Sequence, residues 1–435
     1  MNKCSLKNNS RDFFGFILAA EGFNLHSAVG RRMLVDSHFM TDRQEILEEY
    51  DAMHSAADRA TDAVRHALCE LQDIAGTLAS LENGTIIDDV QLFEIKHLAR
   101  IAVSVRNAGF TSIPDVGRVV EILDPDNDDV DTFYIYDSYS SELAAARRAM
   151  TEPSAERYAE IARIEDEVRI RLAEELIHFA NPLKTALTEL GMTDLRLAKT
   201  DFAKSEGLVR PEISDNKCTF TGLFNIDVRR SLRLRGMKYQ PVDISFGRTL
   251  TLVTGMNMGG KSVLLKSLAT AQMLCQYGFY VPAAKAEMML FEDVLMTGGD
   301  GENAKDGLSS FAAEICDMDY IVKAIRAGSR IFVLEDELAR TTNPFEGRKI
   351  VNGMARLMAE RNVASFITTH FDGIEGDFRR IRVRGLRQDA EANGTIDGMI
   401  DYSLVETSDS DVPHEALRVA RLLGADEELL EMINN

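Results

Sequence analysis

The stretch Gly255-Met-Asn-Met-Gly-Gly260-Lys261-Ser262 limits what this 435-residue chain can fold into more than any other. It satisfies G-x-x-x-x-G-K-[ST], and it stands in the context that gives that pattern mechanical meaning. The apolar run 249–253 enters it, and the helical run Val263, Leu264, Leu268 leaves it. Strand, glycine-rich turn and helix N-terminus in that order let backbone N–H groups curl around phosphates while the helix points its positive end at them. On this reading Gly255, Met258, Gly259 and Gly260 shape the cradle. Lys261 reaches the β- and γ-phosphates, and the Ser262 hydroxyl ligates Mg²⁺. The implied ligands are ATP and Mg²⁺. A glycine-rich turn that matches by accident is the bland alternative, and the flanking strand and helix weigh against it.

Three further segments fit a nucleotide site. In "RIFVLEDELARTTNP" a strand over 331–334 delivers an acidic cluster at its C-terminal end, where α/β sheets place ligands. Asp336 is the natural Mg²⁺ carboxylate, and Glu337 the natural group to polarise an attacking water. A D-E pair after an apolar run is commonly a solvated strand end; the upstream glycine loop raises its meaning. His370, in "SFITTHFD", again ends a buried strand, where it can sense a γ-phosphate by hydrogen bond or simply be a satisfied polar terminus. In "DGLSSFAAEI" the pair Ser309-Ser310 opens a helix, either as a cap or as a helix N-terminus facing an anion.

The rest of the chain divides by pattern. Residues 41–81 read as one long helix opened by Thr41-Asp-Arg-Gln44, with apolar residues every three or four positions from Ile46 to Leu78. Leu92, Ile95, Leu98, Ile101 and Val105 predict a second helix before Gly109. Val119–Leu123 and Phe133–Tyr136 flank the acidic run 124–131, which reads as a solvated turn in a small β-hairpin at 119–136 rather than a calcium loop. A further helix spans 141–180, interrupted near Glu152-Pro153 and ended by Asn181-Pro182. Beyond Ser214 short strands ("CTFTGLFNI", "RTLTLVTG", "SRIFVLEDE", "VASFITTH") alternate with helices. The expected architecture is a mostly α-helical domain over 1–210 and a parallel α/β domain over 211–435.

Composition narrows the partners. Hydrophobic content of 45% and charged content of 27% suit a globular chain, and no run of eighteen apolar residues suggests a membrane span. Five scattered cysteines, odd in number and without C-x-x-C spacing, read as reduced thiols of a cytoplasmic protein. A net charge of −21 makes a protein partner more natural than a nucleic acid, although net charge does not exclude a local basic groove.

These pieces, in this order, resemble the MutS family of ABC-type ATPases over about 215–424. "TGMNMGGKS" is similar to that family's glycine loop nearly letter for letter. "YGFYVPA", "GLSSF", "EDELARTTNPFEG" and "TTHF" resemble the segments that follow it. The resemblance implies a C-terminal ABC-type P-loop ATPase domain with C-terminal dimerisation helices, attached to a helical core-and-lever domain. It implies a homodimer in which Ser309 of one copy completes the nucleotide site of the other. Asn257 would contact nucleotide, and Tyr239 falls near the family's adenine-stacking aromatic. The chain departs from the family at Glu335, where an apolar residue is usual, at Ala339 and Thr341, which replace glycines, and at Asp306, which replaces a serine. No mismatch-reading segment with Phe-x-Glu precedes the first long helix, and no nuclease-like tail follows, which suggests the engine and levers alone. That shortened plan and "ARTTNP" resemble the MutS-related ATPase subunit of reactivases for cobalamin-dependent lysine 5,6- and ornithine aminomutases. The expected role is ATP-driven release of damaged cofactor from such a mutase, together with a companion reactivase subunit. The alternative is a DNA-binding relative acting in repair or recombination.

Overall fold

The computed structural model describes residues 4–128, 132–150, 154–255, 260–298, 310–340, 342–387, 399–407, 416–422, 424–426, 430 and 432. The chain forms two units, one of residues 1–19, 38–50 and 202–435, the other of residues 20–37 and 51–201. This differs from the expected division at 210/211, because two N-terminal segments go with the α/β unit. The reason is local. Cys4 and Leu6 exchange backbone hydrogen bonds with Met296 and Val294 (2.8 and 2.9 Å), so residues 4–6 extend a sheet edge. The Tyr277 ring packs on Phe13, Phe14 and Phe39 at 5.4, 4.9 and 5.6 Å between centroids. Fully buried Gln276 donates from Nε2 to the Met40 carbonyl at 2.7 Å.

The helices of the first half are α1 (Ser10–Leu18), α2 (Ala28–Val35), α3 (Arg43–Arg59), α4 (Asp62–Cys69), α5 (Ala75–Glu82), α6 (Asp89–Asn107), α7 (Gly117–Leu123), α8 (Ser141–Ala149), α9 (Ala155–Leu176) and α10 (Ala180–Glu206). The single helix expected over 41–81 is three. Its first cap is Asp42 rather than Thr41, accepting the Glu45 N–H at 3.0 Å. Thr61 then starts a new helix by accepting the Val64 N–H. Helix α6 carries the expected stripe, opened by a capping box of Asp88 and Gln91.

The β-hairpin at 119–136 is absent. Residues 117–123 are helical, because Val119, Ile122 and Leu123 at i, i+3 and i+4 bury one stripe against α6, while 133–136 form no strand. Residues 129–131 of the acidic run lie outside the described residues. Asp124, expected in a solvated turn, is 6% exposed. It accepts from Arg100 at 3.1 Å and lies 3.6 Å from the Nζ of Lys96, which is itself fully buried. Lys96 sits within the apolar stripe of α6, so the buried ammonium needs a counter-charge, and Asp124 supplies it. Glu152-Pro153 lies outside the described residues, but the flanking ends of α8 and α9 match the expected break. Asn181-Pro182 does not end a helix. A 3₁₀ turn at Ile177–Phe179 leads into α10, whose first turn tolerates a proline because its N–H would lack a partner there.

The α/β unit contains β1 (Glu212–Ile213), β2 (Cys218–Leu223), α11 (Ile226–Leu234), β3 (Val242–Phe246), β4 (Leu250–Thr254), α12 (Lys261–Gln276), β5 (Lys285–Met288), β6 (Asp293–Thr297), α13 (Ser310–Arg326), β7 (Ile331–Glu335), α14 (Pro344–Glu360), β8 (Ala364–Thr368), β9 (Arg379–Leu386), β10 (Ile400–Glu406) and α15 (Ala416–Leu422). A four-stranded sheet has the order β1-β5-β2-β3, and a six-stranded sheet the order β10-β9-β4-β8-β7-β6. In the larger sheet every pair is parallel except β9 with β10, as the strand–helix alternation predicts. Of the expected C-terminal helices α15 is described, while 408–415, 423, 427–429, 431 and 433–435 lie outside the described residues.

Side-chain alternation sorts the two faces of this sheet. Ile331 and Val333 of β7 join Ile321, Val351 and Met358 of α13 and α14 in one core. Phe332, on the other face, stacks with Phe246 and Phe291 at 5.3 and 5.2 Å. Such pairs each contribute about 0.5–1.5 kcal/mol beyond the burial of their area. All five cysteines are free. Among the described residues, no helix is long and apolar enough to cross a membrane.

Candidate functional site

Parallel registers bring several loops to one edge. Val253 pairs with Thr368, Glu335 with Ile367, and Thr297 with Glu335, so β4, β6, β7 and β8 all end together. Gly255 then turns away at φ +126°, and Gly260 caps α12 at φ +81°, both backbone settings that exclude most side chains. Asn257, Met258 and Gly259 lie outside the described residues, as do Ser309, Asp306 and Thr341.

Lys261 opens α12 and is 3% exposed, with Nζ donating to the Gly255 carbonyl at 2.6 Å. Burial lowers its pKa, and the carboxylates of Glu337 and Asp336 oppose that shift. The structure therefore brings Lys261, Asp336 and Glu337 into one electrostatic cluster. Ser262 is half-buried in the same first turn.

Asp336 is itself buried, and its backbone N–H reaches the Thr297 carbonyl at 3.1 Å. The Thr368 hydroxyl donates to Asp336 Oδ1 at 2.8 Å and accepts the Glu337 N–H at 2.7 Å. One hydroxyl at the end of β8 thus fixes both acids. Gly298 allows this close approach: at φ +82°, a Cβ there would stand 2.0 Å from the Asp336 carbonyl oxygen. Glu337 pairs through Oε2 with Arg340 Nη1 at 2.6 Å.

The turn after β7 is strained. Glu337 and Ala339 have φ of +52° and +61°. Left-handed backbone at a residue with a side chain costs on the order of 1–2 kcal/mol. This explains why the resembled family has glycine where this chain has Ala339. The turn is held by Thr368 on Glu337 and by Glu314 Oε1 of α13, which accepts the Ala339 N–H at 2.6 Å.

Glu335 is the most unusual group here. It has the parity of Val333, hence faces α13 and α14, while Asp336 faces the side of Lys261. Its carboxyl is fully buried, with neither oxygen hydrogen-bonded. Burial pushes its pKa up to about 8, and the charge of Glu314 adds to the rise.

The remaining candidates are placed but not drawn into this cluster. His370 is exposed at the end of β8, its ring 4.2 Å from that of Phe371. The Tyr239 hydroxyl accepts the Asn225 N–H at 3.0 Å. An aromatic that does stand beside Gly260 is Tyr402 of β10, whose ring carbon lies 3.1 Å from where a Cβ on Gly260 would stand. Thr368, Arg340, Glu314 and Tyr402 were not singled out by sequence reasoning. Only Arg340, three residues after Glu337, carried a local signal; the others meet the site through distant parts of the chain.

Residues 251–433 match the family model of MutS domain V. The chain is 31% identical over 211 residues to a DNA mismatch repair protein MutS of Thermus thermophilus, covering 48% of this chain and 25% of the relative. It has the same identity and the same coverage with a DNA mismatch repair protein MutS of Thermus aquaticus. It is 29% identical over 238 residues to an endonuclease MutS2 of Shouchella clausii, covering 54% of this chain and 29% of that one. The chain thus spans between a quarter and a third of the length of these relatives.

Proposed function

We propose that the α/β unit binds ATP with Mg²⁺ and hydrolyses it, and that the chain uses this cycle on DNA. The observation that carries the first part is the buried Lys261 ammonium set against Asp336 and Glu337, at the shared C-terminal edge of parallel strands. Lys261 supplies positive charge to a triphosphate, and the N-terminus of α12 adds its partial charge. The Ser262 hydroxyl and the Asp336 carboxylate would hold Mg²⁺. They are hard oxygen donors of the kind it takes, and the ion would neutralise phosphate charge. Glu337 takes up the proton of an attacking water, for which Arg340 has to yield it. His370, exposed at the same edge, hydrogen-bonds the γ-phosphate. Gly255, Asn257, Met258, Gly259 and Gly260 would wrap the phosphates, and Tyr239 would contact the base. Ser309 of a second copy completes the site, which makes the active form a homodimer.

The names of the matched relatives, a DNA mismatch repair protein and an endonuclease, support DNA as the client. They give no support to the aminomutase reactivase expected from the shortened plan, which therefore gives way to its alternative. A protein client keeps one observation in its favour, the net charge of −21. A fluorescence-anisotropy titration with mismatched and branched duplexes separates the two. DNA action predicts a Kd of about 10⁻⁶ M or tighter at physiological salt, altered by ATP and weakening as salt rises. Binding no tighter than about 10⁻⁴ M with or without ATP, together with ATP-dependent capture of an inactivated aminomutase, would overturn it.

A further inference from the structure

Helix α13 begins at Ser310, directly after the serine proposed to act on a second copy's nucleotide, and Glu314 lies one turn further on. From there its carboxylate crosses to the turn after β7 and accepts the N–H of Ala339. That turn also carries Glu337, and its left-handed residues at 337 and 339 hold their shape only while surrounding groups fix them. The sheet provides one anchor through Thr368, and α13 provides another through Glu314.

From this arrangement we propose that Glu314 is a positioning residue: it ties α13 to the turn bearing Glu337, so that a shift of α13 is passed to the group that handles water. The required feature is an acceptor of the right length opposite the Ala339 N–H, not a negative charge. The inference rests on the ATPase reading for its effect on turnover, and on geometry alone for the contact. A charge-assisted bond from a carboxylate to a backbone N–H is stronger than a neutral one, but an amide oxygen at the same place retains the bond.

The test uses the full chain with Glu314→Ala and Glu314→Gln, read by hydrogen exchange at residues 336–340 without nucleotide, by binding of a fluorescent ATP analogue, and by kcat. In Glu314→Ala, exchange of the Ala339 amide should rise about 10-fold. Its kcat should fall about 10-fold or more, with affinity for the analogue within about 2-fold of wild type. Glu314→Gln should restore both exchange and kcat to within about 3-fold. Unchanged exchange in the alanine variant would remove the contact. Raised exchange with unchanged kcat would remove the coupling, and a glutamine variant as impaired as alanine would show that charge, not an acceptor, matters. Should the wild type bind no ATP analogue, the ATPase reading and the coupling to turnover fall together, and the exchange result still decides whether Glu314 fixes the turn.

Discussion

Replacing Lys261 by alanine is expected to lower kcat/KM for ATP by about 10²–10³-fold, with a matching loss of affinity for a fluorescent ATP analogue. The size follows from where the ammonium sits. It is buried at the head of α12, where desolvation lowers its pKa and two carboxylates oppose that shift, and its Nζ donates to the Gly255 carbonyl of the glycine loop. Its removal deletes the positive charge that faces Asp336 and leaves Glu337 with Arg340 alone, so an incoming triphosphate meets more repulsion at this edge. Phosphate release and analogue anisotropy measure the effect, with a thermal melt to show that the fold persists. Activity within a few-fold of wild type would separate Lys261 from the phosphates.

Glu335→Gln is expected to change how stability responds to pH. The ordinary glutamate pKa of 4.5 rises to about 8 in the folded unit. Between those values the folded state keeps a proton that the unfolded chain has released, so stability falls as pH climbs through the window, and below 4.5 the group contributes nothing. Across the whole window the loss is on the order of 5 kcal/mol. For a unit of this size that corresponds to roughly 10 °C in Tm. Glutamine does not titrate, so the variant should gain on wild type steadily from pH 5 to pH 8. Its amide is buried without partners as well, so the slope of the difference, rather than its absolute height, carries the result. Parallel pH profiles would mean that Glu335 finds a partner or water in solution.

Where the sequence was legible, the signal was short in range and repeated. The stripe of α6, the four strands at 218–223, 250–254, 331–335 and 364–368, and the turn into α12 each declare themselves within a dozen residues. The failures have physical causes. Val119, Val120 and Ile122 favour strands by side-chain shape, but the spacing of 119, 122 and 123 suited a stripe on α6, and packing decided. The run 41–81 kept its apolar rhythm across breaks that only the Thr61 cap and the gap before α5 reveal. Asp124 looked solvated because its counter-charge, Lys96, lies 28 residues away on another helix.

The same holds for the site. Lys261, Asp336 and Glu337 could be read from motif and context. Thr368, Glu314 and Tyr402 could not, since strand pairing and helix packing bring them in from β8, α13 and β10. Glu335 could be noticed as an oddity of sequence. Its face of the sheet, toward α13 and Glu314 rather than toward Lys261, needed the fold.

Single-turnover hydrolysis of radiolabelled ATP with Mg²⁺, by the wild type and Glu337→Gln side by side, is the measurement that decides whether this edge of the sheet is an ATPase site. The expected result is that both bind nucleotide, the wild type cleaves it, and the variant cleaves about 10²-fold more slowly or worse. Equal cleavage by the two proteins, or no binding of ATP by either, would contradict the role assigned to Lys261, Asp336 and Glu337.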